Sequence, residues 1–386
     1  MRKLSVRTEN FTDSVIRRMT RISAKYGAIN LSQGFPDFGP PDMLKESLHA
    51  AVSKDVHQYS ITWGAQNMRE ALAKKQSHFM GFDIDPDKEI VVTCGSTEAM
   101  MAAMMTVVNP GDKVAVFSPF YENYGADTIL SGAEPVYVPL SPPGYRFDPE
   151  VLEDAFRMGA CALVLCNPSN PSGKVFTREE LLIIADIAER YDAYVITDEV
   201  YEHIVYEPYE HVYFASLPGM RRRTICCSSL SKTYSITGWR LGYTIAPEEI
   251  TDRIKKVHDF LTVGAAAPLQ EAVVPALLAP VSYYEELRHT YTEKRDLFLR
   301  GLEDTGLLFS RPQGAYYVMV DISPFRAGSD LEFCEWMAEN IGVGAVPGSS
   351  FFREPVNNYI RLHFAKNNDV LYEALGRIER LKKYMR

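Results

Sequence analysis

The sequence predicts an α/β fold: a three-layer αβα large domain with a mainly parallel sheet, plus a smaller α/β domain. Three observations carry this. From about residue 45 to about 285, short β-rich runs alternate with amphipathic stretches. Continuous apolar runs such as Ala162-Leu-Val-Leu-Cys166 suit parallel strands buried on both faces. After about residue 285 the pattern changes to a long charged helix followed by separate strand and helix segments. With 386 residues and 46% hydrophobic content, the chain is long enough for two such bodies. The division expected is 45–285 for the large domain, with 1–44 and 286–386 together forming the small one.

The elements follow in order. A first unit runs from the strand Glu89-Ile-Val-Val-Thr93 through the turn Cys94-Gly-Ser-Thr97 into an apolar helix ending near Val108. The turn Asn109-Pro-Gly-Asp112 then leads to a strand at Lys113-Val-Ala-Val-Phe117. A second unit starts at Ala162-Leu-Val-Leu-Cys166 and passes through the loop Asn167-Pro-Ser-Asn-Pro-Ser-Gly173 to Thr177-Arg-Glu-Glu180, which reads as a capping box. Leu181, Ile184, Ala185 and Ala188 recur at helical spacing behind it, and the strand Tyr194-Val-Ile-Thr197 ends directly on Asp198-Glu199. In the smaller lobe a strand is expected at Tyr316-Tyr-Val-Met-Val320, a helix near 330–341 and a strand over 359–365. A final helix buries Val370, Leu371, Ala374, Leu375, Ile378 and Leu381.

Composition excludes several functions. Lys and Arg total 41 against 50 Asp and Glu, a net charge of -9, which argues against nucleic acid or an anionic membrane as partner. The first ten residues lack a signal-peptide core, and no apolar run reaches membrane-spanning length, so a soluble, cytoplasmic protein is expected. Six cysteines without a Cys-x-x-Cys pair, and eight histidines without a His-Glu-x-x-His pattern, point to reduced thiols and no metal site.

Lys232 is the residue that points to chemistry. Five of the eight residues from Ser228 to Ser235 are Ser or Thr, and Gly238-Trp-Arg240 follows. An amine held beside hydroxyls and an arginine fork suits an aldehyde cofactor that carries a phosphate, and pyridoxal 5′-phosphate (PLP) is the obvious one. Such a cofactor needs an amine, an anion at its ring nitrogen, donors at its ring oxygen and a phosphate cradle. Asp198, at the end of a buried strand, supplies the anion. Asn170 and Tyr201 offer donors. The strand-to-helix turn Gly95-Ser96-Thr97, with Ser229 and Arg240, offers the cradle. Tyr121 follows a strand end and is placed either to stack on the ring or to pack in the core.

Taken together, Asn167-Pro-x-Asn-Pro-x-Gly173, Asp198-Glu-x-Tyr201 and Ser229-x-Ser-Lys232 with the downstream Gly-Trp-Arg240 resemble the class I/II, fold type I PLP-dependent aminotransferases. That group includes the aspartate, aromatic and kynurenine enzymes. The resemblance runs from Ser32-Gln-Gly-Phe-Pro-Asp-Phe38 to Tyr359-Ile-Arg-Leu-His363. It implies that Lys232 bonds to the cofactor aldehyde and then shuttles a proton between substrate Cα and cofactor, while Asp198 binds N1. Asn170 and Tyr201 would bind the phenolic oxygen, Tyr121 would stack, and Ser96, Thr97, Ser229 and Arg240 would hold the phosphate. It further implies that Tyr59 reaches the phosphate of the neighbouring subunit in a homodimer, and that Gly34 lets the backbone approach the substrate.

Arg361 has support of its own. Period-two alternation places Tyr359, Arg361 and His363 on one strand face, and an arginine between apolar neighbours requires an anion, either a bidentate carboxylate such as that of the substrate or a surface salt-bridge partner. The expected reaction is ping-pong transfer of an amino group from an L-amino acid to a 2-oxo acid, with C–S β-lyase chemistry as the alternative on the same site. An aromatic set (Phe35, Tyr59, Trp63, Tyr121, Phe351, Phe352) favours aromatic or large neutral substrates, with aspartate the competitor.

Overall fold

The computed structural model describes residues 3–9, 14–325 and 327–385. Its centre is a seven-stranded sheet ordered Ile90–Thr93, Gly242–Ile245, Thr224–Ser229, Tyr194–Asp198, Ala160–Cys166, Lys113–Ser118, Glu134–Pro139. Gly242–Ile245 runs antiparallel to both its neighbours, whereas the other pairs are parallel. The exception has a local cause. Between Ser229 and Gly242 the chain forms only a short 3-10 turn at Thr237–Trp239, too little for a crossover, so it doubles straight back.

Helices cover both faces. Ser96–Val107 and Glu248–Thr262 close one face over Val91, Val116, Val164, Ile196 and Ile225. The other face is covered by Gln66–Met80 and Ala267–Leu277 over Val92, Cys226 and Tyr243, and by Pro149–Arg157 and Arg178–Arg190 over Leu163, Leu165 and Val195. Successive residues such as Leu163 and Val164 thus enter opposite cores, which is why these strands read as unbroken apolar runs. The helix Arg178–Arg190 starts from the capping box expected at Thr177 and Glu180.

A second, antiparallel sheet of four strands is ordered Val346–Pro347, Tyr359–His363, Tyr317–Asp321, Phe309–Ser310. Its core takes Tyr291, Phe298 and Leu302 from the helix Val281–Thr305, and Leu371, Ala374 and Ile378 from the last helix. Val370 and Leu375 of that helix are only partly buried. Met19 of the helix Val15–Lys25 joins the same core, and Ile29–Asn30 pairs with Val343–Gly344. The next helix, Asp42–Val52, packs instead on Ala267–Leu277 beside the large sheet. No helix of the described residues is long and apolar enough to cross a membrane.

Candidate active site

The order of the large sheet reverses between Lys113–Ser118 and Ala160–Cys166, so the loops leaving these strands diverge and open a crevice at their carboxyl ends. A cavity of about 930 Å³ lies there. Loops from the large sheet supply Ser96, Thr97, Tyr121, Asn170, Asp198, Tyr201, Ser229, Lys232 and Arg240 to its wall, while Gly34 and Arg361 come from the other lobe.

Lys232 extends from the turn after Thr224–Ser229, and its Nζ donates to the Gly34 carbonyl at 3.2 Å. The rings of Tyr201 and Tyr316 stand 5.9 and 5.8 Å away. Burial lowers the amine to about 8, with Asp198 opposing and Arg240 and Arg361 adding to the shift. Burial therefore favours the unprotonated amine at lower pH than for an exposed lysine.

Asp198 closes its strand between Cys166 and Cys227 in register. Its Oδ2 accepts from the Tyr124 hydroxyl at 2.7 Å, and its Oδ1 is 3.4 Å from the Val200 N–H. Burial raises the carboxyl despite these bonds, so it gains from any further cationic N–H donor brought into the cavity.

Arg361 is 1% exposed. Its Nη1 donates to Asn170 Oδ1 at 2.6 Å and its Nη2 to the Ser32 carbonyl at 2.7 Å, which leaves the Asn170 amide NH₂ free as a donor. The guanidinium lies 4.3 Å from the Tyr317 ring and 4.6 Å from that of Phe351. Tyr317 shares a hydrogen bond of 2.9 Å with Tyr201. The Tyr317 ring occupies the space a side chain at position 34 would need, so only glycine lets the backbone approach here.

At the opposite end, Ser96 and Thr97 begin the helix Ser96–Val107, whose first N–H groups have no intrahelical acceptor. Gly95 has φ +84°, and a Cβ there would collide with the Arg240 guanidinium. Arg240 Nη2 donates to the Cys94 carbonyl at 3.4 Å and Nη1 to that of Thr237 at 3.0 Å. An amine, a carboxylate seeking a donor and an anion cradle thus share one cavity, and PLP fits this set by its aldehyde, its ring nitrogen and its phosphate.

The family Aminotransferase class I and II matches residues 26–378. The chain belongs to this family. It is 36% identical over 369 residues to the methionine aminotransferase of Escherichia coli, covering 95% of this chain and 96% of that one. It is 34% identical to human kynurenine–oxoglutarate transaminase 1, covering 94% of each chain. The solved N-succinyldiaminopimelate aminotransferase from Mycobacterium tuberculosis superposes with a TM-score of 0.94 at 34% identity, over 98% of this chain and 100% of that one. The protein is therefore a PLP-dependent aminotransferase of fold type I, exchanging amino groups between amino acids and 2-oxo acids.

The aminotransferase departs from the sequence expectation in its aromatic set. Phe35 and Tyr121 line the cavity. Trp63 packs into the core beneath the large sheet, with Lys255 Nζ 5.1 Å from its ring. Phe352 stacks on Tyr359, and Phe351 is fully buried as support for Arg361. Tyr59 is 87% exposed and outside the cavity of its own chain. Sequence reasoning also missed Tyr124, one helical turn beyond Tyr121, and the charged Arg17 and Glu122 on the cavity wall. None of these carries a motif.

Proposed function

We propose that this aminotransferase acts by a ping-pong route on L-amino acids with aromatic or large neutral side chains. The carrying observation is that the buried Arg361 and the Lys232 amine open on one cavity from different lobes. Each Nη of Arg361 keeps a second N–H after bonding Asn170 and Ser32, and this pair receives the substrate α-carboxylate. When bound, PLP supplies an electron-withdrawing ring that makes the substrate Cα–H acidic. Lys232, whose amine faces this cavity, would hold the cofactor by its aldehyde and would take and return the proton at the substrate Cα as general base and acid. Asp198, oriented by Tyr124, would keep a proton on the ring nitrogen. Asn170 and Tyr201 would donate to the ring oxygen, and Tyr121, on the same wall, would support the ring. Ser96, Thr97, Ser229 and Arg240 would hold the phosphate.

The enzyme works as a homodimer in which Tyr59 of the partner subunit completes the phosphate site. The supporting observation is that the exposed Tyr59, Ile61 and Phe260 present apolar surface. Six free thiols, four of them buried, accord with a cytoplasmic setting.

The substrate preference rests on Ile16, Phe35 and Tyr121 along the wall, and on Arg17 and Glu122, which together bring no net charge for a second carboxylate. Following the visible band of lysine-bound cofactor with single amino acids tests it. Phenylalanine and methionine are expected to discharge the band faster than aspartate, and aspartate far ahead of both overturns the assignment.

A further inference from the structure

At the phosphate end of the cavity lies a buried acid and imidazole pair to which the reaction above gives no role: Glu98 lines the wall and His258 stands behind it. Glu98, third residue of the helix Ser96–Val107, turns its carboxylate back on the start of its own helix. Oε2 accepts from the Cys94 backbone N–H at 2.5 Å, while Oε1 accepts from the Thr262 hydroxyl at 2.7 Å and meets His258 Nδ1 at 2.6 Å. His258, fully buried on the helix Glu248–Thr262, places Nε2 2.8 Å from the Thr62 carbonyl.

The partners determine the protonation of this ring. A carbonyl only accepts, so Nε2 carries a proton. Of the two groups sharing the remaining proton, imidazole is the stronger base, so Nδ1–H donates to a carboxylate. Burial alone would raise Glu98 and lower His258. Their mutual hydrogen bond, with those from Cys94 to Glu98 and between His258 and Thr62, overrides burial and holds Glu98 below its ordinary value and His258 above it.

The atoms engaged by the pair belong to segments around the phosphate site. The Cys94 peptide precedes Gly95 and Ser96, and its carbonyl receives Arg240. Thr62 lies three residues beyond Tyr59, on a loop whose Trp63 carbonyl accepts from Val92 N–H at 3.0 Å. A carboxylate at this helix N-terminus orients the turn, but unpaired it would repel the very anion the turn receives.

We infer that His258 is a positioning residue for the cofactor phosphate: it neutralises Glu98, so that the carboxylate can shape the Cys94–Thr97 turn without repelling the anion held there. The inference rests on Ser96, Thr97 and Arg240 holding the phosphate. Holoenzymes loaded with PLP, or with pyridoxal, which lacks the phosphate, are diluted into a carbonyl trap while the visible band is followed. His258→Gln is expected to release PLP about tenfold faster than wild type, and pyridoxal no faster. Glu98→Gln/His258→Gln should recover most of the retention, because the uncompensated charge is gone. On the Glu98→Gln background alone, adding His258→Gln should change release little, which gives a second reading if the single His258 variant folds poorly. Wild-type release from His258→Gln, equal acceleration of both compounds, or a double variant as leaky as the single one overturns the inference. Arg240→Leu separates the two levels. If it erases the preference for PLP over pyridoxal while His258→Gln does not, only the role of His258 falls. If it leaves that preference intact, the phosphate assignment falls and this inference with it.

Discussion

Two buried sets of charges in this molecule are built from the same chemistry and finished differently. Under the helix Gln66–Met80, Lys75 and Glu202, each 2% exposed, pair at 2.9 Å. Gln76 and the Tyr213 hydroxyl donate to the remaining Glu202 oxygen at 3.0 and 2.7 Å, and Tyr243 lies 3.4 Å from the first. In the cavity, Lys232 has one acceptor at 3.2 Å, and the Nε of Arg361 has no partner although buried. The two carboxyls diverge accordingly. Burial would raise both, but beside Glu202 the Lys75 and His203 groups outweigh it and hold the carboxyl well below its ordinary value. At Asp198 burial wins. A buried charge whose partners all lie within the chain is architecture, whereas one with capacity left over, facing a cavity, awaits a ligand.

Breaking each set separately tests this contrast. The largest effect is expected for Lys232→Ala, which removes the residue proposed as both nucleophile and proton carrier. Transamination should fall by at least about 10⁴-fold and the visible cofactor band should vanish, with the urea midpoint of the cofactor-free protein no lower than wild type. A large loss of stability in that variant would mean that Lys232 is as structural as Lys75. Lys75→Met should do the reverse, costing about 3–5 kcal/mol of unfolding free energy by stranding Glu202, while the protein that remains folded keeps its cofactor band. Unchanged stability would erase the distinction from the other side.

The smallest expected effect concerns pH. Because burial lowers Lys232 to about 8 and the neutral amine is the nucleophile, PLP capture by cofactor-free protein should speed up as pH rises to about 8 and level off above it. A rise continuing toward the ordinary lysine value of about 10.4 would show that the amine is not perturbed in the cavity.

Much of the large domain and most of the residues that line the cavity were legible in the sequence because they are local. The capping box at Thr177, the strand ending on Asp198 and the turn Cys94 to Thr97 each lie within a few consecutive residues. Lys232 and Arg240 share one short reversal between neighbouring strands, so their joint placement needs no distant contact. Tyr124 was not legible, since its bond to Asp198 spans 74 residues and nothing near Tyr124 announces it. The sorting of aromatics was equally hidden, because Trp63, Phe352 and Tyr121 differ in what packs over them rather than in their neighbours along the chain.

By itself, then, the sequence determined the fold class, the cofactor and a set of residues that line one cavity. Only the tertiary structure decided that Arg361 meets Asn170 across 191 positions and Ser32 across 329, and that His258 meets Glu98 beside the Cys94–Thr97 turn. The strand Tyr359–His363 is largely buried on both faces, so its alternation separates two sides without telling which one faces a ligand. That choice is made by the lobe packed against it, through contacts between distant segments that no local periodicity encodes.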